Sequence, residues 1–217
     1  VQLFSADREV KGLIFDMDST LYENPDYAAD QLDSQIRVLA LRWQRNVDTL
    51  RKEVYRRQAE WTSSHGGRKP SFGNLLLDSY GISIEESVKL REEAIEPERW
   101  LGRDEKLVSV FQRIRPDIEK VLLTNNPSSI ARRSLRILGV DNFFSKVVGL
   151  DTTLVSKPHA KAFIMALDKL GVGPQYVLSI GDRWEVDIEP ALALGMGGIL
   201  VESIEDTYCL ADFLAKS

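Results

Sequence analysis

Cysteine, histidine and long apolar runs are what this chain of 217 residues has least of, and each scarcity removes a class of protein. Its single cysteine, Cys209, rules out an intrachain disulfide and a cysteine-rich zinc site, and it suits a reducing compartment. No stretch approaches the roughly 18–20 apolar residues needed to cross a bilayer. The opening VQLFSADREV lacks the basic start and unbroken apolar run of a signal peptide, so the expected location is cytoplasmic. Excess positive charge is also missing: 28 Lys and Arg stand against 33 Asp and Glu, a net charge of −5. That balance gives no general reason to bind a nucleic acid polymer or an anionic membrane, though it leaves room for a local basic cleft. What is present is the composition of an ordinary globular protein, 43% hydrophobic and 28% charged. The length allows one large domain or a core with an inserted module.

From about residue 104 onward, helical patterns alternate with short β-rich runs. Helix is expected over 104–114, 128–138, 158–170, 186–194 and 206–215, with KVLLTN, SKVVGL, YVLSIGD and GGILVE between them. Gly139, Gly171 and Gly195 stand just past three of these helices, where a left-handed residue ends a helix. With GLIFD near the start, these runs make about five buried strands, the pattern of a parallel α/β sheet with ligands at the strand C-termini. Residues 22 to about 100 break the rhythm. Leu32, Ile36, Leu39, Trp43, Val47, Leu50 and Val54 recur at helical spacing, with Asp48 a candidate cap for a second helix. SHGGRKPS must interrupt helix, and Ser83 with Glu86 fits a capping box.

Four chemistry-bearing stretches stand at the C-terminal ends of the expected core strands: DMDST at 16–20, TNN at 124–126, SKP at 156–158 and GDRWEVD at 181–187. A doubly wound sheet brings such ends to one rim. Asp16 and Asp18 would raise each other's pKa there unless a cation neutralised them. Four carboxylates (Asp16, Asp18, Asp182, Asp187) with no His or Cys call for a hard cation, and Mg²⁺ suits oxygen ligands of this kind. Together with Lys157 such an ion points to a phosphoryl group. A carboxylate so placed can be a covalent nucleophile, and its neighbour two residues on can move the proton.

In this order the four stretches resemble the haloacid dehalogenase superfamily of phosphohydrolases, over residues 12–20 and about 104–205. Asp16, Asp18 and Thr20 match its DxDx(T/V) motif, Thr124 its strand-ending Ser or Thr, Lys157 its lysine, and Asp182 and Asp187 its final acidic motif. The resemblance implies that Asp16 is the nucleophile and Asp18 the general acid/base. It implies that Thr124, with Asn125, binds phosphoryl oxygens, and that Lys157 neutralises Asp16 and the phosphate. Asp16, the Asp18 backbone carbonyl and Asp182 would hold Mg²⁺, with Asp187 a ligand directly or through water. Dehalogenases of the superfamily lack the second aspartate of the first motif, so Asp18 favours phosphoryl chemistry. FDMDSTLY is also similar to the pyrimidine 5′-nucleotidase-like branch, which usually carries Asn where Ser19 stands.

The resulting expectation is an α/β fold: a Rossmann-like parallel-sheet core over 1–21 and 101–217, with an inserted α-helical cap domain over 22–100. The expected activity is Mg²⁺-dependent hydrolysis of a small soluble phosphomonoester, a nucleotide or sugar phosphate. A phosphoglucomutase-like phosphotransferase and a non-catalytic phosphate-responsive binding protein are the rivals, and Thr20 leans against the first because such mutases often carry Val there. For the cap, His65, Arg68 and Lys69 in SHGGRKPS are the candidate substrate contacts. The eight Lys and Arg of residues 42–69 are expected to form a solvated helix face, and Trp43 and Trp61 to pack in the core. His159 is expected as an exposed helix residue and Cys209 as a packed residue of the last helix.

Overall fold

The computed structural model describes residues 1–4, 9–67 and 70–215. The chain divides into two compact units, Val1–Asn24 with Pro97–Ser217, and Pro25–Glu96. In the first, six strands form one sheet: β1 (Gln2–Phe4), β2 (Gly12–Phe15), β3 (Glu119–Leu123), β4 (Lys146–Val148), β5 (Val177–Gly181) and β6 (Gly197–Leu200), in the order β1-β6-β5-β2-β3-β4. All neighbours pair in parallel except β1 and β6. The chain runs outward from β2 through β3 to β4, then returns to β5 on the other side. The strand order therefore reverses between β2 and β5, the position where open α/β sheets bind ligands.

Strand β2 is buried throughout, and its residues alternate between two apolar layers. Ile14 packs with Val121, Val148, Phe163 and Ala166. Phe15 meets Phe111 and Phe144 at ring-centroid distances of 5.3 and 5.6 Å. Burying such side chains contributes about 1.5–3 kcal/mol each, which pins the register of the strand that carries Asp16. The antiparallel edge strand β1 was not among the five expected strands, because QLF is largely exposed and shows no buried apolar run.

Six helices of this unit correct or sharpen the sequence pattern. They are α5 (Glu105–Arg113), α6 (Ser128–Leu138), α8 (Ala160–Leu170), α9 (Glu189–Ala193), α10 (Ile204–Tyr208) and α11 (Leu210–Leu214), the numbers α1–α4 and α7 belonging to helices given below. Helix α8 starts two residues later than expected because the exposed His159 caps it, its Nδ1 accepting from the Lys161 N–H at 3.2 Å. The helix expected over 186–194 is instead a π-helical turn, Trp184–Ile188, followed by α9. Pro190 has no N–H to bond Val186, so an α-helix cannot run through. The last helix is two short ones, and Cys209 between them is exposed rather than packed. The short α7 (Leu150–Thr153) follows β4.

The second unit contains α1 (Pro25–Arg42), α2 (Val47–Ser64), α3 (Phe72–Tyr80) and α4 (Ile84–Ala94). Ile36, Leu39, Leu50, Val54, Leu75, Leu76 and Leu90 form its core, with Trp43 and Trp61 packed against it. Asn46, not Asp48, caps α2, accepting from the Thr49 N–H at 3.0 Å. Ser83 and Glu86 form the reciprocal capping box of α4. Arginines in and just before α2 are paired locally: Arg45 and Arg57 both meet Glu53, Arg51 meets Asp33, and Arg56 meets Glu60. No described helix is long and apolar enough to cross a membrane.

Candidate active site

The centre of the site is the end of β2. The Asp16 N–H donates to the Ile180 carbonyl at 2.8 Å, the last ladder bond before the chain turns. Thr20 and Leu21 then donate to the Met17 carbonyl, at 3.2 and 2.9 Å. Ser19 within this turn has φ 59°. That left-handed conformation is one Asn adopts more readily than most residues, which gives a physical reason for Asn at this place in the branch noted above. Thr207 of α10 donates to the Thr20 carbonyl at 2.7 Å and holds the turn from outside.

Lys157 and Asp16 are each only 4% exposed, and their charged ends meet at 2.7 Å. The same ammonium lies 2.6 Å from Asp187 Oδ1. Asp187 can reach it because Gly181 has no side chain: a Cβ there would fall 2.4 Å from the Asp187 Cβ. The π-helical turn folds Asp187 back beneath the strand end, where Ser179 Oγ donates to its carbonyl at 2.8 Å and the Arg183 N–H to its Oδ2 at 3.2 Å. Ligand atoms of Asp16, Asp182 and Asp187 all lie within 4.8 Å of one another.

Thr124 is buried at the end of β3, and its Oγ1 accepts from the Asn126 N–H at 3.1 Å. Asn125 reaches across to the lysine loop. Its Oδ1 accepts from the Lys157 N–H at 2.7 Å and its Nδ2 donates to the Lys157 carbonyl at 3.3 Å. On Asp18, Tyr22 Oη donates to Oδ1 and Asn126 Nδ2 to Oδ2 at 3.0 Å.

Sequence reasoning passed over Asn126 and Arg183. The half-exposed Arg183 guanidinium lies 3.9 Å from Asp16, 3.6 Å from Asp182 and 3.9 Å from Asp187. An arginine directly after the first acid of GDRWEVD was the available signal. His65 lies in the helical unit, exposed and stacked on Trp61 with centroids 3.7 Å apart. Arg68 and Lys69 fall outside the described residues. A cavity of about 550 Å³ opens beside Tyr22, lined also by Asn24, Trp100, Asp104 and Tyr208, and takes in none of the carboxylates that meet at Lys157.

The electrostatics follow from burial. Burial, then the charge of Asp16, pushes the Asp182 carboxyl up to about 7. Burial also holds Asp187 above the usual carboxylate range, against the pull of Lys157. Burial works against the Lys157 ammonium, but Asp16 and Asp187 outweigh it and raise its pKa. Asp16 Oδ2 and Asp182 Oδ1 are buried with no hydrogen-bond partner. Two buried carboxylate oxygens that lack hydrogen bonds, with the Arg183 guanidinium at 3.6–3.9 Å, fit a divalent cation with oxygen ligands.

Residues 10–195 match the family model of haloacid dehalogenase-like hydrolases. The chain is 28% identical over 193 residues to a glyceraldehyde 3-phosphate phosphatase of Methanopyrus kandleri, covering 86% of this chain and 82% of that protein. It is 26% identical over 208 residues to the phosphoglycolate phosphatase of Escherichia coli, covering 86% and 79%. The fold is similar to that of a HAD phosphatase from Thermococcus onnurineus, with a TM-score of 0.65 at 20% identity over 94% of this chain and 98% of that one.

Proposed function

This chain belongs to the haloacid dehalogenase-like hydrolase family and is a phosphohydrolase of it, and we propose that it hydrolyses a small phosphomonoester through an aspartyl-phosphate on Asp16, with Mg²⁺. The observation that carries this reading is the buried Asp16: one oxygen on Lys157, the other without a hydrogen-bond partner, in a cluster with Asp182 and Asp187. A non-catalytic binding protein has no need of a carboxylate held in this way.

Asp16 attacks phosphorus, and the bond to the ester oxygen breaks. Asp18 gives its proton to the departing oxygen, then takes one from the water that attacks the aspartyl-phosphate, so phosphate leaves and both acids return to their starting states. Lys157 balances charge on Asp16 and on the phosphoryl oxygens. The Thr124 hydroxyl binds one of those oxygens. Asn125 fixes the Lys157 backbone and has a second N–H to offer a phosphoryl oxygen. Asp16, Asp182 and the Asp18 carbonyl would hold Mg²⁺, which supplies neutralisation of phosphoryl charge when bound. Asp187, whose oxygens already meet Lys157 and the Arg183 N–H, holds the Lys157 ammonium beside Asp16 and would be a further acid for the ion. The names of the relatives point to short-chain sugar or acid phosphates as the substrate class.

Asp16→Asn tests the reading with p-nitrophenyl phosphate and a panel of alkyl phosphates. Turnover should fall by several orders of magnitude, as the ~10⁶-fold loss on removing a nucleophile from a covalent enzyme indicates. An Asn variant with near wild-type turnover would exclude the covalent route.

A further inference from the structure

The Asp18 carboxylate accepts a hydrogen bond from a neutral donor on each of its oxygens. Tyr22 Oη and Asn126 Nδ2 take one carboxylate oxygen each, while Lys157 is spent on Asp16 and Asp187. Neutral donors orient a carboxylate without cancelling its charge, which is what a group that must both give and take a proton needs. Both donors are themselves immobilised. Tyr22 is buried and its residue is bridged to Asp18 in the turn after β2. Asn126 is 3% exposed, its N–H bonded to Thr124 Oγ1 at 3.1 Å and its carbonyl accepting from the Leu150 N–H at 3.0 Å. Gly149 allows that packing, since a Cβ there would lie 2.8 Å from the Asn126 carbonyl oxygen.

We infer that Tyr22 and Asn126 are positioning residues that aim the Asp18 carboxyl at the leaving-group oxygen. The inference rests on the phosphatase reading above and deepens it. Asn126 also ties Thr124 to Asp18, so the phosphoryl contact and the proton donor are held by one residue. The requirement for aim depends on the ester. An alkoxide is a poor leaving group and must be protonated as it departs, whereas p-nitrophenolate leaves with little help. Loosening Asp18 therefore penalises alkyl phosphates selectively, which a general loss of folding or phosphate binding does not.

The experiment compares kcat on glycerol 3-phosphate and p-nitrophenyl phosphate for wild type, Asn126→Ala, Tyr22→Phe and, as reference, Asp18→Asn. General acid–base catalysis contributes about 10²–10⁴-fold, and misaim should lose part of it. The alkyl-to-aryl ratio of kcat should fall about 10-fold in Asn126→Ala and in the same direction in Tyr22→Phe. Asp18→Asn should show the largest fall. If Asp18→Asn shows the selective loss while the other two keep the wild-type ratio, the positioning inference is wrong and the phosphatase reading stands. If the wild type cleaves neither ester, or Asp18→Asn is fully active, the underlying reading fails. Should Asn126→Ala not fold, Tyr22→Phe, which keeps the buried ring, decides alone.

Discussion

Glu53 in the helical unit and Asp182 in the α/β unit are both acids beside arginines, yet their proton affinities move in opposite directions. Arg45, and then Arg57, hold the Glu53 carboxyl down at about 2. Burial, and then Asp16, push Asp182 up to about 7 although Arg183 lies 3.6 Å away. The helical unit answers surface charges one by one with hydrogen-bonded partners that share solvent. The α/β unit gathers three carboxylates around Lys157 and Arg183 and leaves two buried oxygens without a hydrogen bond. Charge near Glu53 is neutralised pair by pair, whereas charge near Asp182 is concentrated and buried. Such a cluster costs stability, which proteins tolerate where activity requires it.

The most severe way to sharpen the contrast is to remove the shared cation. Lys157→Met leaves Asp16 and Asp187 buried without their counter-charge, and breaking a buried pair from one side costs about 3–5 kcal/mol. Urea unfolding in EDTA should show a loss of that size, and phosphatase activity should vanish. Unaltered stability would mean that the cluster is not balanced through Lys157.

The second perturbation works in the other direction. Asp182→Asn keeps the shape and removes one negative charge facing Asp16, so in EDTA the melting temperature should rise. About 1 kcal/mol corresponds to roughly 2–4 °C in a chain of this size. Mg²⁺ should stabilise the wild type and add little to the variant, because anything that binds only the folded state stabilises it in proportion to its affinity. An equal Mg²⁺-induced rise in both proteins would move the ion away from Asp182.

The smallest effect is expected at Glu53. Its folded pKa, about 2, lies below the ordinary 4.5. Its stabilising contribution is therefore complete above about pH 4.5 and is lost as the pH falls toward 2. Glu53→Gln should lower stability at neutral pH by about 1 kcal/mol or less and flatten the fall in stability across that acid window. A variant that kept the wild-type acid dependence would assign that window to other carboxylates.

The stretches that carry the site were legible because their signals are local. GLIF and VLSIG are short apolar runs that end in acids, and the capping box at Ser83 and the glycines after α6 and α8 mark helix ends within a few residues. Where a second region competes, local signals misled. Pro190 turned an expected helix into a π-helical turn and a short α9, and an edge strand with exposed side chains left no period to read. Asn125 could be placed beside Thr124, but only the folded chain turned its amide toward the Lys157 backbone.

By itself, the sequence determined which residues end the central strands and which chemistry they can perform, since apolar periodicity and residue type act over a few positions. The tertiary structure alone decided how the oxygens are shared: Lys157 between Asp16 and Asp187, Tyr22 and Asn126 on Asp18, Arg183 near three acids. Those pairings join residues up to about 170 positions apart, and the reversal of strand order between β2 and β5 is what brings them within bonding distance. The reason Gly181 must be glycine is of the same kind. Its missing Cβ is the space that Asp187 fills, and no spacing along the chain records it.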